Sequence, residues 1–324
     1  LHLFKLEAYY TWMSGFLLLA VVYYFNARTN LIDPSVANLS PLGASLTGIG
    51  TLVLSWLVYD GLCRSPLGRR PTALAAVLFG LMVLLAWGLS HLFSGRGAYI
   101  HVGAAIGTCM VANVFFVIIP GQRAMVEAMK AGREPDGARG RAGALRSRHN
   151  NYLTLPVLFI MISNHFPGTY GSTWNWLILT ALALVGILIR HYFNRRHMPG
   201  RHWPLPVLAV AGLALIVLAT APVSFGTRDA AARDAATPPV PITEVHQVIE
   251  ERCAVCHASQ PSFAGFNAPP KGIRLDNEAT IEQHREQIGQ VAVRTHIMPP
   301  GNITQITEEE RTLLAHWLQQ SASD

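Results

Sequence analysis

Apolar runs long enough to cross a hydrocarbon core, about 17 to 25 residues at roughly 1.5 Å each, recur seven times, at residues 8–25, 42–63, 72–94, 98–120, 150–166, 174–193 and 203–222. The fifth is the most polar, because Pro156, Asn164 and His165 interrupt it. Basic loops alternate with nearly neutral ones. Arg64, Arg69 and Arg70 separate the second and third runs; Arg123, Lys130, Arg133, Arg139, Arg141, Arg146 and Arg148 separate the fourth and fifth; Arg195, Arg196 and Arg201 separate the sixth and seventh. The intervening loops hold Arg28 with Asp33, then Arg96, then no charge between Phe166 and Trp174. Short cytoplasmic loops carry the excess of Lys and Arg, so the chain is expected to enter the bilayer from the cytoplasm and to leave everything after Pro222 outside. Trp12, Trp87, Trp174, Trp176 and Trp203 fall mostly near run ends, where interfacial aromatics belong.

The pattern then changes. Residues 223–242 are rich in Ala, Pro, Thr and charge and read as a tether. From residue 243 to 324 the chain has the composition of a small soluble domain. An apolar helical period leads through residues 243–256, and Thr307 with Glu310 forms a capping box for a last helix that buries Leu313, Leu314 and Trp317. The expected fold class is all-α: a polytopic transmembrane helix bundle over residues 1–222, then a small extracytoplasmic helical domain.

Composition sharpens this. Hydrophobic residues make up 51% and charged residues 14%, against roughly 25% charged in a soluble chain, which disfavours a water-soluble enzyme. The net charge of +6 divides unevenly, because the last domain holds six basic against eleven acidic residues. The basic excess therefore lies in the loops that face an anionic leaflet, and no nucleic-acid partner is implied. There is no GxGxxG or Walker sequence for a nucleotide cofactor. Leu1 stands where an initiator Met would, and a segment upstream of it is expected.

Cys253-Ala254-Val255-Cys256-His257 is a CxxCH, the attachment sequence of c-type haem: Cys253 and Cys256 add to the vinyl groups and His257 ligates the iron. A redox dithiol would need a βαβ context, and a zinc site further Cys or His pairs. Met298, in His296-Ile297-Met298-Pro299-Pro300-Gly301, is the only methionine after the motif and the expected distal ligand, with His284 and His296 as rivals. His/Met ligation closes both axial positions and favours electron transfer. Haem attachment takes place outside the cytoplasm, on the side the loop charges independently assign.

Ionisable residues at membrane depth are costly and default to functional hypotheses. His91, His101 and His165 are expected near the outer ends of the spans, and His149 and His191 near the inner ends; all five are candidate ligands of a haem b, with interfacial histidines as the plainer alternative. Asp60, Asn113, Asn150, Asn151 and Asn164 read first as interhelical hydrogen-bonding groups, and Cys63 and Cys109 as packing residues.

Several stretches carry a resemblance: Phe4-Lys5-Leu6-Glu7-Ala8-Tyr9-Tyr10-Thr11-Trp12, Gly95-Arg96-Gly97-Ala98-Tyr99-Ile100-His101-Val102-Gly103-Ala104, Val111-Ala112-Asn113-Val114-Phe115-Phe116, Arg148-His149-Asn150-Asn151-Tyr152 and Ser163-Asn164-His165-Phe166-Pro167, together with the CxxCH and its Met-Pro-Pro. With these the whole chain resembles the bacterial membrane-bound, cytochrome c-type urate oxidase (urate hydroxylase) family, whose members usually begin with one more membrane segment. The resemblance implies an integral-membrane urate oxidase domain, a class I-like cytochrome c domain in the periplasm, and a place in the bacterial inner membrane. It implies conversion of urate to 5-hydroxyisourate with water as the oxygen source, electrons passing to the haem c and then to a respiratory acceptor, a soluble cytochrome c or a terminal oxidase, without hydrogen peroxide. The competing reading is a quinol-oxidising or purely electron-relaying membrane cytochrome. Urate is a planar anion that calls for cationic and amide donors beside an aromatic face. Two groupings qualify: Arg96, Tyr99, His101, Asn164 and His165 at the outer mouth, or Arg148, His149, Asn150 and Asn151 at the inner.

Overall fold

The computed structural model describes residues 2–220, 239–264 and 266–320, and all regular structure among them is helical. Residues 223–238, most of the expected tether, lie outside the described residues. The chain divides into two compact units, one holding nearly everything up to Thr220 and the other the helices from Ile242 onward.

In the first unit, α1 (His2–Leu19) runs on through a π-helical turn at Ala20–Tyr24. It is followed by α2 (Pro41–Arg64), α3 (Pro71–Ser90), α4 (Gly95–Lys130), α5 (Gly137–Ile162), α6 (Asn175–Arg195) and α7 (Pro204–Thr220). The starts are chemically marked. Ser40 and Ser94 cap α2 and α4 through their hydroxyls, and proline stands in the first turn of α2, α3 and α7, where its missing N–H has no partner to lose.

Among the described residues, five helices are long and apolar enough to cross a membrane: Leu6–Tyr24, α2, α3, α4 and α6. The other two expected spans differ from their outlines. α7 has 17 residues. The fifth apolar run is only the second half of α5, which begins at Gly137 inside what the charge pattern marks as a basic loop. Arg139, Arg141, Arg146 and Arg148 are therefore helical residues.

Helix α4 is the centre of the bundle, packing against α1, α2, α3, α5 and α6. Small residues let its neighbours approach: a Cβ on Gly103 would lie 2.4 Å from Ile160 of α5, and one on Gly48 of α2 would lie 2.6 Å from His101 of α4. Close backbone approach of this kind is how helices associate where lipid removes the hydrophobic drive. Pro156 inside α5 is buried, and Gly186 of α6 leaves room for it. The faces turned away from α4 carry exposed Leu, Val and Phe, as a lipid-facing surface requires.

In the second unit, α8 (Ile242–Ile249) continues through a π-helical turn at Glu250–Ala254 into Val255–His257, so the CxxCH ends a helical rod. The last helix, α9 (Glu308–Gln320), opens as its sequence predicts: Glu310 N–H donates to Thr307 Oγ1 and Thr307 N–H donates to Glu310 Oε2. Val245, Ile249, Ile281 and Leu314 are fully buried between these helices, with Trp317 beside them.

Candidate functional site

Two polar clusters lie about 25 Å apart along α4, from the 17 residues between Arg96 and Asn113 at roughly 1.5 Å each. At the basic-loop end, Arg146 is 3% exposed and sits over the Trp56 and Tyr59 rings. Its Nη2 donates to Asp60 Oδ1 at 2.6 Å and its Nη1 to Asn113 Oδ1 at 3.3 Å. Asn113 Nδ2 donates to Tyr59 Oη at 2.8 Å and to Asn150 Oδ1 at 2.9 Å, and Asn150 Nδ2 reaches Met110 O on α4. With its oxygen accepting from Asn113, Tyr59 donates to His149 Nδ1 at 2.9 Å. Asp60 also receives Arg64. The network is closed: its cation is neutralised, and its amides and hydroxyl are partnered within it.

Sequence reasoning missed the centre of this cluster, since Arg146 reads as one more loop charge until α5 is seen to start early. Asn150 and His149 belong to it as expected neighbours. Arg148 is exposed instead, and Asn151 turns to α6, accepting from Arg190 and Asn194. The four expected inner-mouth residues do not form one group.

At the neutral-loop end, three connections meet around the start of α4. Ser94 N–H donates to Leu31 O and Ser94 Oγ to Asn30 O, joining the α3–α4 turn to the segment after α1. Arg96 is half-buried; its Nε donates to Asn164 Oδ1 at 3.1 Å, and no carboxylate pairs with it among the described residues. The Tyr23 hydroxyl, on a residue 4% exposed, comes close to Arg96 and Asn164 yet has no partner in hydrogen-bonding geometry. Asn175, which packs on Gly95, likewise has its Oδ1 buried and unpaired.

The other expected outer residues play different parts. Tyr99 is fully buried and donates to Asn175 O at 2.7 Å and toward Thr169 O, holding the α5–α6 connection onto α4. His165 is exposed without a hydrogen-bond partner among the described residues.

The histidines do not converge. His101 is fully buried among Tyr23, Tyr24 and Phe93; its Nδ1–H donates to Gly97 O at 2.8 Å, and Tyr24 Oη lies 3.2 Å from its Nε2. With Gly48 pressed against that same nitrogen, there is no gap for a macrocycle, and His101 does not fit a haem ligand. His149 is engaged by Tyr59, and His191 Nδ1 lies 2.7 Å from Tyr152 Oη. His91, exposed, donates to Trp87 O of its own helix. Among the described residues no hydrogen bond or ring contact joins any two of the five.

In the second unit the CxxCH geometry is ordered. His257 Nδ1–H donates to Ile273 O at 3.0 Å, which fixes the tautomer and leaves Nε2 as the free ligating nitrogen, the usual outer-shell arrangement for an iron-bound imidazole. Cys253 and Cys256 do not form a disulfide with each other. Burial pushes the Cys253 thiol up to about 12 and raises that of Cys256, opposite to the lowered thiol of a redox dithiol. Met298 is strapped by its backbone: its N–H donates to Val291 O, and its carbonyl accepts from Arg311, a residue 5% exposed that also donates to Ala292 O. His284 Nδ1–H is engaged by Thr280 O, and His296 is exposed. Arg252 ties the motif helix to α9 with Nε and Nη2 on Glu310 and Nη1 on Thr304 O. These residues fit a haem c. Among the described residues no three of His, Cys, Asp and Glu converge to hold a metal ion.

The first unit is thus a helical bundle with membrane-length apolar helices and two separated polar clusters, and a small motif-bearing unit follows it in the chain. Residues 1–221 match the urate oxidase N-terminal family, and the chain belongs to that family. It is accordingly related to urate oxidases, oxidoreductases that act on urate. No curated protein and no solved structure matches the chain.

Proposed function

We propose that the protein is a membrane-bound urate oxidase that delivers electrons to a haem c carried on its own C-terminal unit. The observation that carries this reading is the family match over residues 1–221 in one chain with a CxxCH at 253–257. The reaction is urate plus water giving 5-hydroxyisourate, two protons and two electrons. Cys253 and Cys256 would hold a haem covalently, with His257 and Met298 as its protein ligands, and when bound it would supply one-electron chemistry toward a soluble cytochrome c or terminal oxidase, so that no hydrogen peroxide would form. The Ile273 carbonyl holds the His257 imidazole in its ligating tautomer, and Arg311 holds the backbone of Met298. The bundle crosses the bacterial inner membrane seven times, α5 and α7 included, and the C-terminal unit lies in the periplasm, where the alternation of basic and neutral loops assigns it.

Anaerobic addition of urate to the oxidised, purified chain tests this directly. Reduction of the c-type haem bands supports the reading; reduction by a quinol and not by urate replaces it with the electron-relay alternative. A pyridine haemochrome spectrum counts c-type against any b-type haem and decides whether the membrane histidines hold a second cofactor.

A further inference from the structure

An anion site needs two things the closed cluster around Arg146 lacks: a cation without a counterion and polar groups whose hydrogen-bonding capacity is not spent. The cluster around Arg96 has both. Its guanidinium spends only Nε on Asn164 and pairs with no described carboxylate. Asn164, whose Oδ1 accepts that bond, faces the Tyr23 hydroxyl. Tyr23 buries an unpaired hydroxyl beside both. A buried hydroxyl without a partner is destabilising, and native structures keep such groups chiefly where a ligand or water completes them. Arg96 also sits in the first turn of α4, where the helix dipole favours negative charge.

We propose that urate binds at the neutral-loop end of the bundle, its anionic edge on Arg96, a carbonyl on Asn164 Nδ2 and a further polar edge on the Tyr23 hydroxyl. The placement rests on the urate reading and deepens it. It selects one of two mouths, replaces Tyr99, His101 and His165 as contacts, and adds Tyr23, which sequence reasoning did not nominate. It also puts the donor of electrons on the face of the bundle that the loop charges assign to the outside.

The test is the urate concentration that half-reduces the haem c, measured anaerobically on full-length variants whose dithionite-reduced spectra match that of the unmodified chain. Arg96→Gln is expected to raise it by about tenfold to a hundredfold, the size of a lost hydrogen bond to a charged group. Tyr23→Phe is expected to raise it by up to about tenfold while leaving thermal stability equal or higher, because the hydroxyl it removes has no partner in the protein. That combination is one a packing role would not produce. It also serves if Arg96→Gln fails to fold. Arg70→Gln, an exposed charge at the other end, should leave the value within about twofold. Tyr23→Phe and Arg96→Gln proteins as readily reduced as the unmodified chain, or a loss confined to Arg148→Gln, would overturn the placement alone. An unmodified chain that urate does not reduce would overturn both the placement and the function beneath it.

Discussion

Arg146 and Arg96 both lie in the helical bundle, at opposite ends of the α4–α5 pairing, and they are treated oppositely. Arg146 is sealed: Asp60 neutralises it, Asn113 and two aromatic rings surround it, and the neighbouring hydroxyl and amides are consumed by one another. Arg96 is left with an amide oxygen and an unmatched hydroxyl nearby. Composition alone would rank the first cluster higher, since it has more polar residues and a carboxylate. The lesson is that a binding site is marked by unspent hydrogen-bonding capacity, and a structural network by its exhaustion.

The comparison can be broken most sharply at Asp60. Asp60→Asn removes the counterion of a buried guanidinium and is expected to cost about 3 to 5 kcal/mol, seen as a fall in the thermal midpoint of the detergent-solubilised chain. A companion Arg146→Met change should recover much of the loss. If Asp60→Asn is tolerated, the cluster is not a self-balanced ion pair. Next comes Gly48→Ala, which drives a Cβ against His101 Nε2 and Tyr24. Overpacking of about 1 to 3 kcal/mol is expected, with no change in any haem spectrum. A haem-band shift would reinstate His101 as a ligand.

A smaller effect belongs to the second unit. Burial alone would raise the Glu310 carboxyl, but Arg252 and the Thr307 N–H outweigh it and hold it below its usual value. Its contribution is therefore complete above the carboxylate's unfolded value, about 4.3, and is lost as pH falls through the lower folded one. Glu310→Gln should cost about 1 kcal/mol at neutral pH and flatten the acid side of the unfolding profile, followed through the haem c spectrum. The smallest effect is the stability change of Tyr23→Phe, within about 0.5 kcal/mol and favourable in sign if anything. A clear loss would mean that Tyr23 is structurally partnered and that the two clusters are alike.

Much of the architecture was legible beforehand because it depends on local composition. Apolar run length set α2, α3 and α6 to within a few residues and located α1 and α4, although α4 runs ten residues past its apolar stretch, and the Thr307 capping box marked the start of α9. The start of α5 was not legible: Gly137, Gly140 and Gly143 with four arginines look like a loop, and only packing of Arg146 into Asp60 and Asn113 explains why helix extends there. Whether the membrane histidines pair was not legible in the sequence, for one reason. A ligand pair is a statement about two helices facing each other, and spacing along one chain carries no such information. Arg96 and Asn164 were both nominated in advance, but Tyr23 was indistinguishable from the other tyrosines of α1.

What the sequence determined by itself is whatever a bilayer or a cofactor reads one segment at a time: apolar length, the sign of each loop, and a CxxCH with its downstream methionine. What only the tertiary structure decided is which polar groups are spent on one another and which are left open. Hydrogen-bond satisfaction is a property of pairs of atoms brought together from distant helices, over a few ångströms, and no single stretch of chain contains it.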